Sequence, residues 1–115
     1  MIRFEVWLVR LDPTEGAEMR KTRPCVVVSR TDLNLQLATV LVAPLTTAKH
    51  TYSSRVPCCL AGRAGEVALD QMRCVDKRRL LRRVGRLQAA EAQTVLERLA
   101  AMFAEELTRS IERRS

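Results

Sequence analysis

The sequence predicts an α+β domain that is mainly β: short antiparallel strands closed by one long C-terminal helix. Three observations carry this. Short β-branched or alternating runs, separated by turn residues, fill residues 4–87. From Ala89 to about Arg113 the spacing becomes helical, with Leu96, Leu99, Phe103, Leu107 and Ile111 three or four apart and Glu and Arg on the other side. Strands first and a helix last is the order of an antiparallel sheet, not of an alternating parallel one. At 115 residues the chain has the size of one domain, 1–115, with one core. No linker, repeat or low-complexity segment divides it.

Residues 4–11 read as a strand with much of its surface buried, stopped by Asp12-Pro13-Thr14. A charge-dense loop, Gly16 to Arg23, then runs into a second strand at residues 24–29. Pro24 confines Arg23 to extended backbone and has no N–H, which suits the first position of a strand. Arg23 is thus expected on a rigid strand mouth. Arg30 to Asn34 reads as a helical turn capped by Ser29 or Thr31. Leu37 to Leu45 is apolar on both faces, hence a central strand. Thr46 to Thr51 is a polar loop, and Tyr52 to Leu60 returns as a strand.

Ala61-Gly62-Arg63-Ala64-Gly65 is turn chemistry. Glu66 to Val75 alternates strictly, which predicts one strand with Val67 and Leu69 facing one way and Ala68, Asp70, Met72 and Cys74 the other. Asp76 to Arg79 is a turn, and Leu80 to Leu87 a basic strand broken by Gly85.

The formal charge is +7 and uneven: residues 61–88 hold eight Lys/Arg against three acids, and residues 89–115 four against five. A basic middle suits a polyanion such as RNA or DNA, although an Arg-rich composition produces the same numbers. Aromatics make up only 3%, which argues against a surface built on base stacking. The N-terminus has no leader pattern and no apolar run approaches 18 residues, so a cytoplasmic protein without a membrane partner is expected. Cys25, Cys58, Cys59 and Cys74 show no CxxC spacing and are read as buried free thiols. His50, the single histidine, sits in a polar loop and is read as solvent-facing, with a substrate contact left open.

Walker A, GxGxxG, HExxH and nucleophile-elbow motifs are all absent from the sequence. What remains is Glu18, Arg23, Thr46, Thr47, Asp70, Gln71 and Arg73 at strand–loop junctions. One reaction needs little more: cleavage of RNA by its own 2′-hydroxyl, where the protein supplies orientation, a proton acceptor and stabilisation of the phosphorane. Arginine binds phosphate bidentately, and a threonine hydroxyl donates to a non-bridging oxygen. Solvated surface is the competing reading of every one of these residues.

The blocks Trp7-x-x-x-Leu11-Asp12-Pro13-x-x-Gly16-x-Glu18 and Lys21-x-Arg23-Pro24, followed by Ala43-Pro44-Leu45-Thr46-Thr47 and Val67 to Leu80, resemble the MazF/PemK (Kid) family of toxin endoribonucleases. The resemblance spans about residues 4–80 in order. It implies an SH3-like antiparallel barrel of MazF/CcdB type with a long C-terminal helix, a homodimer and a cognate antitoxin of MazE type. The implied activity is sequence-selective cleavage of single-stranded RNA without metal or other cofactor, leaving 2′,3′-cyclic phosphate and 5′-hydroxyl ends. Carried over by position, Arg23 and Thr46 match catalytic residues, and Glu18 matches a glutamate near the reacting phosphate. Asp70 and Gln71 match RNA-binding strand positions, one of them a proposed general base in the Kid branch. Arg20, Lys21 and Lys49 are read as phosphate-steering charges, and Thr47 is placed with the RNA-binding set, with loop hydrogen bonding as its plainer reading.

Two positions depart from the Kid pattern: Ala17 stands for a histidine and Ala68 for an arginine, so a mechanism using those groups cannot operate. Arg73 is read as structural or at a dimer face. Arg78, Arg79, Arg82, Arg83 and Arg86 either solvate the barrel or extend the RNA track. The rival from another class is a gyrase-poisoning toxin on the same fold, which has no need of an Arg23–Thr46 pair. A non-catalytic RNA-binding module is a third reading.

Overall fold

A computed structural model describes residues 1–11 and 22–104 of the chain. Its strands are β1 (Glu5–Arg10), β2 (Thr22–Val27), β3 (Thr39–Thr46), β4 (Arg55–Leu60), β5 (Arg63–Ala68), β6 (Arg73–Asp76) and β7 (Leu80–Arg86). A short helix α1 (Thr31–Gln36) precedes β3, and α2 (Ala89–Phe103) follows β7. The strands lie in the order β4-β5-β3-β2-β1-β7, all neighbours antiparallel, with β6 also paired to β3. The antiparallel sheet is the one expected from the alternating runs, and it curls into a half-barrel, as the family resemblance implies.

β3 is the hub because it has neighbours on both edges. One edge carries β2, through Cys25↔Pro44, Val26↔Ala43 and Val27↔Val42. The other carries β6 along Thr39 to Val42 and then β5 along Leu45 and Thr46. The period of two sorts the buried side chains onto the two faces. Val6, Val26, Ala43, Val67 and Leu69 pack with Val95 of α2 on one face. Val9, Cys25, Val27, Val40, Val42 and Val75 form a second cluster on the other. Apolar burial of about 25 cal/mol per Å² makes these clusters the main source of stability.

Several expectations are corrected. Pro24 is the third residue of β2, not the first, because Arg10 and Val9 of β1 extend the pairing back to Thr22 and Arg23. The strand expected from Tyr52 begins at Arg55. Neither Ser29 nor Thr31 caps α1. Ser29 Oγ instead donates to Asn34 Oδ1 at 2.5 Å and accepts the Leu41 N–H, while Thr31 Oγ1 accepts the Arg3 N–H. The strand expected over Glu66–Val75 is two strands, β5 and β6, with a 3-10 turn at Leu69–Gln71 where the chain passes from one half of β3 to the other. Val67 and Leu69 do share a cluster, but Met72, expected on the opposite face, packs against it too, and Val75 lies in the other cluster, so the turn reverses the phase of alternation.

Cys25 and Cys58 are buried, but Cys59 and Cys74 are exposed, each standing on the opposite face from a buried neighbour, Cys58 or Val75. On α2 the buried stripe runs through Ala92, Val95 and Leu99, while Phe103 is 73% exposed. Leu107 and Ile111 lie outside the described residues.

The hairpin between β4 and β5 turns on two residues, Ala61 (φ 51°) and Gly62 (φ 79°). Two positive φ values mark a primed turn, whose twist matches that of the flanking strands. Among the described residues, no helix is long and apolar enough to cross a membrane.

Candidate active site

The face of the sheet that carries the second cluster continues beyond Cys25 and Val42 into a polar end. Residues two apart on a strand share a face, so Arg23 stands on the side of Cys25. Continuing the β2/β3 register by two residues sets Arg23 opposite Thr46. Thr46 is itself paired with Glu66 of β5, and Arg73 with Val42 across the other edge of β3. Arg23, Thr46, Glu66 and Arg73 therefore share one face. Electrostatics agree: burial pushes the Cys25 thiol up to about 12, against the opposing pull of the Arg23 and Arg73 guanidinium groups. Both arginines are exposed, and Arg73, read from sequence as structural or at a dimer face, stands on the same face as Arg23.

Thr46 is half-buried, and its Oγ1 accepts the Ala48 N–H at 3.1 Å, which bends the chain out of β3. Gly65 packs against it so closely that a Cβ there would lie 2.9 Å from the Thr46 carbonyl oxygen. Thr46 and Thr47 line a cavity of about 280 Å³ with Pro24, Cys58, Leu60 and Gly65. Thr47 and Lys49 are exposed on the loop that follows.

Asp70 and Gln71 sit on the 3-10 turn and are exposed. Asp70 is committed to Arg55, whose Nε donates to Oδ1 at 2.8 Å and Nη2 to Oδ2 at 3.2 Å. Ser54 Oγ adds a third hydrogen bond at 2.9 Å. The Arg55 guanidinium and the Ser54 hydroxyl hold the Asp70 carboxyl down to about 2. The Arg55 side chain is only 5% exposed, yet it also reaches His50 Nδ1 at 3.1 Å and Glu66 Oε1 at 4.0 Å. Glu66 Oε1 accepts the His50 N–H at 3.2 Å. One buried guanidinium thus ties together the 3-10 turn, β5 and the loop after Thr46. Sequence reasoning missed Arg55, Glu66 and Tyr52.

Much of the basic set is engaged in the fold. Arg83 Nη1 donates to Glu5 Oε2 at 3.1 Å, Arg79 Nη1 to the Leu11 carbonyl at 3.2 Å, and Arg78 to Asp76. Arg82 and Arg86 are exposed. Glu18, Arg20 and Lys21, together with Ala17, lie outside the described residues. Ala68 is fully buried and pairs with Arg55 across β4 and β5.

The family model for PemK-like, MazF-like toxins of type II toxin–antitoxin systems matches residues 2–103. The chain belongs to this family. Curated relatives include Endoribonuclease MazF9 of Mycobacterium tuberculosis, 34% identical with 86% of this chain and 92% of that protein covered. Endoribonuclease PemK of Escherichia coli is 33% identical, covering 90% of this chain and 82% of the relative. Among solved structures, a mycobacterial endoribonuclease in complex with its cognate antitoxin superposes with a TM-score of 0.76 at 22% identity, over 92% of this chain and 97% of that one. A MazF from Deinococcus radiodurans gives 0.74 at 21% identity, over 91% and 97%. These likenesses establish the MazF-type fold expected from the sequence, an antiparallel barrel-like sheet with its C-terminal helix.

Proposed function

We propose that this PemK/MazF-family chain is a toxin that acts as a sequence-selective endoribonuclease on single-stranded RNA in the cytoplasm. The observation that carries the reading is that Arg23 and Thr46 share one face of the sheet, each two residues beyond the Cys25↔Pro44 pair, in a family whose curated relatives are endoribonucleases. In this reading the substrate 2′-hydroxyl attacks the adjacent phosphate. The P–O5′ bond breaks as the new P–O2′ bond forms, and the 5′-oxygen takes a proton from solvent water, giving a 2′,3′-cyclic phosphate and a 5′-hydroxyl. Arg23, a permanent cation, stabilises the charge that builds on the phosphorane, and the Thr46 hydroxyl orients a non-bridging oxygen. Glu18 serves as the carboxylate base. Asp70 contributes by anchoring Arg55, and Gln71, Thr47, Lys49, Arg20 and Lys21 by binding the strand. Arg73 extends the cationic face beside Arg23.

In this reading the chain works as a homodimer and is restrained by an antitoxin; a structural relative is an endoribonuclease in complex with its cognate antitoxin. The test is incubation of the purified protein with a long single-stranded RNA in EDTA, followed by end-group determination. Cyclic phosphate and 5′-hydroxyl ends are expected. Intact RNA, together with inhibition of gyrase, would move the chain to the gyrase-poisoning class.

A further inference from the structure

Tyr52 and His50 form an exposed aromatic pair beside the candidate site, with ring centroids 4.9 Å apart and planes inclined by 27°. The chain spends few aromatics, and its others have different surroundings: Trp7 donates to Glu5, Phe4 packs on the core, and Phe103 ends α2. Tyr52 is 56% exposed although the Arg55 guanidinium lies 5.6 Å from its ring centroid. An open ring of this kind is a stacking surface.

The pair is also held in place. His50 N–H is bound by Glu66, the residue opposite Thr46, and its Nδ1 accepts from Arg55. A guanidinium can only donate, so the neutral imidazole carries its proton on Nε2, the nitrogen not bound to Arg55. The Tyr52 carbonyl accepts the Arg55 N–H at 3.1 Å, and the Ser53 carbonyl accepts from Arg98 Nη1 at 2.7 Å. Asp70 fixes Ser54 and Arg55 in turn. A platform ordered before binding loses little entropy when a ligand arrives.

We propose that Tyr52, backed by His50 and Arg55, is a stacking platform for one unpaired base of single-stranded RNA, next to the phosphate held at Thr46. The proposal rests on the ribonuclease reading and adds a base subsite to it. Stacking on a tyrosine ring tolerates any base, while the His50 Nε2–H is a donor for a base oxygen or ring nitrogen, which biases the choice.

The test uses short 2′-O-methylated RNAs, which cannot be cleaved through a 2′-hydroxyl, and a set of the same oligonucleotides each lacking one base. Wild-type protein should lose about ten-fold in affinity when the stacked base is removed. Tyr52→Leu should bind the intact strand about ten-fold more weakly and be indifferent to loss of that same base, while Tyr52→Phe should match wild type. Unchanged thermal stability of Tyr52→Leu would show that the fold is kept; if it is lowered, the comparison is made with Tyr52→Ile and His50→Ala. Base dependence that persists in Tyr52→Leu, or equal weakening for every oligonucleotide, would overturn the platform alone. Failure of wild-type protein to bind any of the RNAs would overturn it together with the ribonuclease reading. Loss of antitoxin affinity with RNA binding intact would give the pair to a peptide instead.

Discussion

The Arg55 guanidinium grips both carboxylate oxygens of Asp70 from the adjacent strand, Nε to Oδ1 at 2.8 Å and Nη2 to Oδ2 at 3.2 Å. Two parallel hydrogen bonds fix orientation as well as distance. Asp70 therefore acts on the face around Thr46 by holding Arg55, which in turn holds the His50–Tyr52 loop.

This pair makes stability depend on acid. The Asp70 carboxyl is held at about 2, below its ordinary 3.8, so the fold favours the ionised form. That contribution is complete above about 3.8 and drains away as pH falls toward 2. Unfolding by urea at stepped pH should show wild type losing stability across this window. Asp70→Asn should be less stable at neutral pH and lose less between those limits. Parallel pH profiles would exclude the linkage.

Arg23→Ala should cut RNA cleavage by about 10²–10³-fold, the usual cost of losing one transition-state donor. Because Arg23 is exposed, its thermal midpoint should stay close to wild type. Arg23→Lys keeps the charge without the bidentate fork and should recover only part of the rate. Single-turnover cleavage with both variants is the measurement. Full activity in Arg23→Ala would remove this residue from the mechanism.

Gly65→Ala tests Thr46 without touching its side chain. The added methyl would meet the Thr46 carbonyl at 2.9 Å, so backbone must shift. Folding should weaken by roughly 1–3 kcal/mol, the range for overpacking. Cleavage should fall by up to about 100-fold, as for small misplacements of a reacting group. The two effects separate in an assay run well below the melting temperature.

Thiol labelling should divide the cysteines by pairs. Burial pushes Cys25 up to about 12 and Cys58 to about 11, while Cys59 and Cys74 are exposed. Since the thiolate is the reacting species, brief alkylation of the native protein followed by peptide mass spectrometry should mark Cys59 and Cys74 first. Early marking of Cys25 would mean that the second core cluster opens readily.

The strands and their faces were legible because burial here follows a period of two: Val26 and Ala43 on one side, Cys25 and Val42 on the other. The 3-10 turn at Leu69–Gln71 was not, because the residues run through it with no glycine or proline to mark it; only the packing shows the reversed phase, with Met72 joining Val67 and Leu69 and Val75 on the other side. The motif blocks pointed to Arg23 and Thr46, which the strands set on one face, whereas Pro24 misplaced the strand start that pairing with β1 carries back to Thr22. Arg55 was hidden for a different reason. An arginine at the start of a strand reads as solvent-facing, and only Asp70, 15 residues on, and Glu66, 11 on, make its burial tolerable. A composition of 3% aromatic residues averages over position and leaves out histidine, so the meeting of the His50 and Tyr52 rings on one loop was not visible in it.

The pairing of β1 with β7 joins the first strand of the sheet to the last, Glu5 against Arg86 and Val9 against Leu80. A ribosome delivers these partners at opposite ends of synthesis. Until residue 86 has emerged, β1 is the bare edge of the sheet. A chain halted before β7 thus leaves a free strand edge, open to pairing with a second copy.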